Sequence, residues 1–170
     1  MSTVPSDRDQ ARFDPPSDAD WVEISPSFYL GGFPSENPFD WGADVVVSLA
    51  SSHACPTVPD GKLLIHHPIV DDGVVSDAAS IRRLARLVAD LIAGGRVVFV
   101  HCFAGRDRSP MLAARVLIEQ RMTPADAIAR VRRVRAGALG DVPAGLWGKA
   151  GRGYATWLLS EEPSDPLADV

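Results

Sequence analysis

The residues best able to do chemistry lie in one stretch, Val97 to Pro110, which reads V-V-F-V-H-C-F-A-G-R-D-R-S-P. Cys102 is a sulfur nucleophile. Arg108 follows with five residues between them, and Ser109 adds a hydroxyl next to the arginine. A short loop between a strand and a helix can turn its backbone N–H groups onto one anion, and the helix N-terminus adds partial positive charge. Arg108 offers a planar fork that matches two phosphate oxygens. The same field favours the thiolate form of Cys102. A thiolate held beneath a bound phosphate stands in line with phosphorus. Phe103, Ala104, Gly105, Arg106 and Asp107 would form the wall of such a cradle, and Gly105 lets the backbone fold closely around the oxyanion. The bland alternative is a buried cysteine in a turn with an incidental arginine. The order strand, loop, helix disfavours it.

Expelling an alkoxide or phenoxide also needs a proton donor. Asp71 and Asp72 supply candidates in P-I-V-D-D-G-V-V, although both could be solvated loop acids. His66 and His67 are adjacent on a strand-like run, so they point to opposite faces and make a poor metal pair. No metal and no cofactor are expected. Cys55 could in principle reach Cys102 as a redox partner, but a plain loop or core cysteine is the favoured reading.

These residues need elements to hold them. Val97 to Val100 is an uninterrupted apolar run bounded by Gly94 and Gly95, which predicts a fully buried strand ending at His101. Pro110 suits the first turn of the apolar helix that follows. Upstream, Trp21 to Ile24 and Phe28 to Leu30 read as a hairpin or two edge strands, and Asn37 to Trp41 as a short helix. Val45 to Leu49 and Leu63 to His67 read as strands. Ser76 is the expected N-cap of a helix reaching about Ala93, with Ile81, Leu84, Val88, Leu91 and Ile92 as its apolar stripe. Thr123-Pro124-Ala125-Asp126 opens a further helix to about Arg135. A last helix near Leu146 to Leu159 is weakened by Gly148, Gly151 and Gly153. Strands alternating with helices predict a single α/β domain whose central, mostly parallel sheet is flanked by helices on both faces. The nucleophile then sits at the carboxyl end of a central strand, where such sheets bind ligands. Residues 1–20 are rich in Asp, Ser and Pro and are expected to be a disordered leader, residues 21–159 the catalytic domain, and residues 160–170 an acidic disordered tail.

His101 to Ser109 resembles the H-C-x-x-G-x-x-R-[ST] signature of the cysteine-dependent protein tyrosine and dual-specificity phosphatases. I-S-P-S-F-Y-L-G-G resembles the opening of dual-specificity phosphatase domains, so the likeness extends over roughly Trp21 to Leu159. The resemblance implies that Cys102 attacks phosphorus and that Arg108 clamps the phosphate. Ser109 would ease departure of the thiolate, and His101 would hold the loop. Asp71, two residues before Gly73, matches the family's mobile acid loop, with Asp72 as runner-up. V-R-R-V-R resembles the V-R-x-x-R run of the same family, which would place Arg135 at the pocket mouth to meet a second negative group. A solvated basic helix face explains that run equally well. The central position of the loop separates the chain from low-molecular-weight phosphatases, which carry the same spacing near the N-terminus. Rhodanese-type sulfurtransferases generally have a shorter loop. Arg106 and Asp107 resemble the G-K-D-R loop of bacterial lipid-type phosphatases. The larger enzymes' glutamine loop has no counterpart.

Composition narrows the setting. The chain has 170 residues and a net charge of −5, which argues against broad nucleic-acid binding. No apolar run approaches the length of a membrane helix. Two cysteines make no disulfide framework, which leads to an intracellular, cytoplasmic expectation. Only Lys62 and Lys149 are lysines, a bias that fits a GC-rich bacterial genome. The expected function is hydrolysis of phosphate monoesters, on phosphotyrosine and also phosphoserine or phosphothreonine in proteins, through a phosphocysteine. The rivals are a phosphoinositide phosphatase and a non-enzymatic phosphate-binding module.

Overall fold

A computed structural model of the chain describes residues 13–51, 56–142 and 149–164. Five strands, β1 (Trp21–Ser25), β2 (Phe28–Gly31), β3 (Val45–Ser48), β4 (Leu63–His66) and β5 (Val98–His101), form one sheet in the order β1-β2-β5-β3-β4. Only the β1–β2 hairpin is antiparallel; β2, β5, β3 and β4 run parallel. β3 and β5 are central and covered on both faces, so they read as unbroken Val-rich runs instead of alternating patterns. The carboxyl ends of β2, β5 and β3 come together at Gly31, His101 and Ser48.

The helices are α1 (Ala78–Ala93), α2 (Arg108–Glu119), α3 (Pro124–Val134) and α4 (Lys149–Leu158). The α1 N-cap is Asp77, one residue after the expected Ser76, because its carboxylate accepts the Ser80 N–H at 3.0 Å. Thr123 caps α3 as expected, accepting the Asp126 N–H. Every residue of α2 from Arg108 to Ile118 is buried, because α1, α3 and α4 all surround it.

The four helices contribute to one core on one face of the sheet, with Val45, Val47, Val98 and Val100 pointing into it. This corrects the expectation of helices on both faces. The second face carries Val46 and Phe99 and is covered by an aromatic cluster of Phe13, Phe39 and Trp41. Asn37 to Trp41 is a pair of turns closed by Asp40 N–H to Asn37 O and Trp41 N–H to Pro38 O, not the expected helix. Residues 13–20 and 160–164 pack on the fold, while the rest of the expected leader and tail lies outside the described residues. Phe13 is buried, stacks on Tyr29 with centroids 4.1 Å apart, and meets Trp21 and Trp41 edge-on, so residues 13–20 belong to the fold. At the other end Glu161 is buried and its carboxylate binds Arg82 at 2.7 and 2.6 Å and Arg115 at 3.0 Å.

Candidate active site

Cys102 leaves the end of β5 and is 1% exposed. Its sulfur accepts the Gly105 N–H at 3.3 Å and lies 3.3 Å from the Ser109 hydroxyl. Gly105 has φ +63°, and a Cβ there would come within 2.6 Å of the Gly31 carbonyl carbon. The Gly31-Gly32 pair that ends β2 is therefore the surface against which the loop folds. Ser109 donates its hydroxyl to Gly31 O at 3.2 Å, tying the start of α2 to the same spot.

The loop carbonyls all have outside partners. Phe103 O accepts the Phe33 N–H at 2.8 Å, and Arg106 O accepts the Leu139 N–H at 2.9 Å. Ala104 O and Gly105 O each accept from Arg135, at 3.0 Å. No peptide bond among the described residues is cis. In a trans peptide the C=O and the following N–H point in opposite directions. Pinning four consecutive carbonyls outward therefore turns the N–H groups of Ala104, Gly105, Arg106 and Asp107 inward. That is an anion cradle, completed by the N-terminus of α2.

Arg108 is buried at that N-terminus. Its Nη1 donates to Ile69 O at 3.0 Å and Leu49 O at 3.4 Å. Its Nε lies 3.3 Å from Asp71 Oδ2, an ion pair without hydrogen-bond alignment. The two candidate acids are thus separated. Asp71 faces the arginine with its carboxylate partly exposed, whereas Asp72 turns away and caps its own loop by accepting the Val74 N–H at 2.9 Å. α4 supports this loop: Tyr154 donates its hydroxyl to Val70 O at 2.9 Å, and burial pushes the Tyr154 pKa up to about 12, so the donor stays protonated. Gly153 lets α4 approach so closely that a Cβ there would strike the Gly73 carbonyl.

The remaining predicted residues fall as follows. His101 is buried, its Nδ1 is 3.3 Å from Cys102 O, and its ring stacks on Phe99. Phe103 is 71% exposed and forms an apolar rim, and Arg106 is also exposed. Asp107 is half-buried against Gly151; burial, reinforced by the Asp71 charge, raises its pKa above the ordinary carboxylate value. Arg135 does not stand open at the mouth. Its guanidinium holds the two loop carbonyls and both oxygens of Asp20, while Arg133 of the same run is exposed. The Arg135 guanidinium in turn lowers the Asp20 pKa. Cys55 and its redox reading lie outside the described residues. Among the described residues no group of three or more His, Cys, Asp or Glu side chains could hold a metal ion.

Sequence reasoning missed Asp20, Tyr154 and Gly153.

The family described as "Cyclin-dependent kinase inhibitor 3 (CDKN3)" matches over residues 58–128, from the loop before β4 to α3. Human "Protein tyrosine phosphatase type IVA 3" is 35% identical over 103 residues, covering 58% of this chain and 59% of that protein. Over these stretches the chain is similar to a protein tyrosine phosphatase. The crystal structure of human DUSP28 superimposes with a TM-score of 0.65 at 21% identity, covering 87% of this chain and 96% of that one. PTPMT1 in complex with PI(5)P superimposes with a TM-score of 0.63 at 20% identity, covering 81% and 94%. At these identities the two structures establish the fold alone. The chain spans 59% of the length of the phosphatase relative it matches in sequence.

Proposed function

We propose that the chain hydrolyses phosphate monoesters through a phosphocysteine, acting on phosphotyrosine and also on phosphoserine or phosphothreonine in proteins. The observation that carries this reading is the set of four outward-pinned carbonyls, which aims a ring of N–H groups at the space above the Cys102 sulfur. Cys102 attacks phosphorus as the bond to the leaving oxygen breaks. The loop amides and Arg108 stabilise the equatorial oxygens, and Asp71 gives the leaving oxygen its proton. Asp71 then takes a proton from the water that attacks the phosphocysteine, and Ser109 stabilises the departing thiolate. The proposed reaction uses no cofactor. The protein-substrate reading is supported by the name of the relative that is 35% identical, a protein tyrosine phosphatase. Arg106 and Asp107 keep inositol phospholipids as the second reading, and the ratio of activity on phosphopeptides to that on inositol lipids separates the two. No helix among the described residues is long and apolar enough to cross a membrane. A cytoplasmic, bacterial setting belongs to the same proposal, supported by the two-cysteine, arginine-rich composition.

Cys102→Ser tests the mechanism. Serine has similar volume but no thiolate at neutral pH, so turnover of an aryl phosphate should vanish while vanadate or phosphopeptide binding persists. Turnover near the parent rate would remove the covalent mechanism, and loss of binding without loss of fold would point to a cradle that depends on sulfur.

A further inference from the structure

We propose that Asp20, in the segment ahead of β1, is a positioning residue for the phosphate loop and acts through Arg135. The proposal rests on the reading of Cys102 as the nucleophile of that loop. Asp20 touches neither the sulfur nor the cradle. Its carboxylate receives Arg135 with both oxygens: Nη1 donates to Oδ1, and Nη2 donates to Oδ2 at 2.6 Å. The same guanidinium then donates from Nε to Gly105 O and from Nη2 to Ala104 O, each at 3.0 Å.

Those two carbonyls belong to the two peptide units whose N–H groups are those of Gly105 and Arg106. The Gly105 N–H is the one that meets the Cys102 sulfur at 3.3 Å. Rotating the Ala104–Gly105 peptide inward would present a carbonyl oxygen to the sulfur and to any bound phosphate, which repels both. A guanidinium is rigid and planar, so holding one edge of it in a bidentate carboxylate fixes where the other donors point. Without Asp20, Arg135 keeps its charge but loses its orientation.

Asp20 is itself held. Its backbone carbonyl accepts the Gly32 N–H at 3.2 Å, beside the Gly31 carbonyl that receives Ser109. Upstream, Phe13 is locked in the aromatic cluster of the second sheet face, and Asp14 N–H donates to Trp41 O at 2.7 Å. The segment from Phe13 to Asp20 is thus a strap from the back of the sheet to the phosphate loop.

The test uses the full chain with three readouts: aryl phosphate turnover, vanadate inhibition, and the rate at which iodoacetamide alkylates Cys102. Asp20→Asn removes the charge at nearly constant shape. It should lower kcat/KM about tenfold, the scale expected when a reacting group is slightly misplaced, and weaken vanadate to a similar degree. It should also slow alkylation of Cys102 several-fold at a temperature where circular dichroism shows the variant folded. Placed in an Arg135→Met background, Asp20→Asn should cost nothing further in any readout, because the residue acts only through that arginine. Arg135→Lys, which keeps the pair with Asp20 but cannot hold two carbonyls and a carboxylate at fixed angles, should resemble Arg135→Met. Unchanged alkylation and vanadate inhibition in Asp20→Asn would overturn the proposal, and so would additive losses in the double variant. A parent protein that alkylates at Cys102 but turns over no phosphate ester would instead overturn the proposed function. The alkylation comparison would still decide the role of Asp20.

Discussion

Ser109 has one hydroxyl proton and two acceptors in reach, Gly31 O at 3.2 Å and the Cys102 sulfur at 3.3 Å. In the proposed reaction that hydroxyl would serve the carbonyl while sulfur is covalently occupied and turn its hydrogen bond to sulfur when the thiolate returns. Asp71 and Asp72 divide in the same local way, one facing Arg108 and one capping its own turn. Asp71→Asn should therefore lower turnover of an alkyl phosphate far more than that of an aryl phosphate with a good leaving group, whose oxygen departs unprotonated. Asp72→Asn should show no such dependence. Steady-state kinetics on the two substrates checks this, and reversed phenotypes would make Asp72 the acid. Asp107 yields a prediction about pH. Its pKa is raised by burial and by Asp71, so the folded state disfavours its ionised form. A carboxyl whose folded pKa lies above its unfolded value destabilises the fold at high pH, and stability returns as pH falls through the folded pKa. Asp107→Asn should thus melt higher than the parent at neutral pH, with the gain disappearing below the ordinary carboxylate pKa of about 4. Melting curves across that range decide it.

At the level of elements, the acid loop depends on a helix that lies far from it in sequence. Gly151 and Gly153 weaken α4 as an isolated helix. In the fold they allow contact: Gly151 accommodates Asp107, and Gly153 accommodates the Gly73 carbonyl. Tyr154 adds a hydrogen bond to Val70 O. Gly153→Ala raises helix propensity yet should misplace the acid loop, because the added methyl meets backbone and not a flexible side chain. The expected result is a fall of about tenfold in kcat for an alkyl phosphate, with a smaller loss for an aryl phosphate. A kcat unchanged from the parent on both substrates would show that the loop finds its place without α4.

At the scale of the whole molecule, the C-terminal segment closes the helical layer. Arg115 has no exposed surface, and its charge is matched by Glu119 at 2.7 Å and Glu161 at 3.0 Å. Glu161 also binds Arg82 on α1, so one carboxylate joins α1, α2 and the tail. Without the Glu161 charge Arg115 keeps Glu119, and Arg82 is partly screened by solvent, so the cost falls below the about 3 kcal/mol of a fully broken buried pair. Glu161→Gln should lower the melting temperature accordingly while leaving kcat/KM at low temperature near the parent value, since Arg115 lies about two turns along α2 from Arg108. An unchanged melting temperature would mean that the tail is decoration.

The candidate centre was legible in the chain because it is local. Cys102, Gly105, Arg108 and Ser109 lie within one loop, and the loop is bounded by a strand and a helix whose periodicities are strong. The parallel core strands were equally plain, since burial on both faces demands the unbroken runs at Val45 and Val98. The choice of Asp71 over Asp72 rested on its distance from Gly73, whereas the pairing of Asp71 with Arg108 is a tertiary contact. What only the tertiary structure decided involves partners distant in sequence. Asp20 meets Arg135 across 115 positions, and Glu161 meets Arg82 across 79. The composition of the two ends pointed to solvation, because Asp, Ser and Pro carry no periodic apolar face. One buried Phe13 and one buried Glu161 outweigh that average: each anchors a short segment to a site built by remote elements, and no local pattern records such a site. The covering of the second sheet face was hidden for the same reason. Phe13, Phe39 and Trp41 sit in segments without regular period, and only the folded sheet brings them onto Phe99.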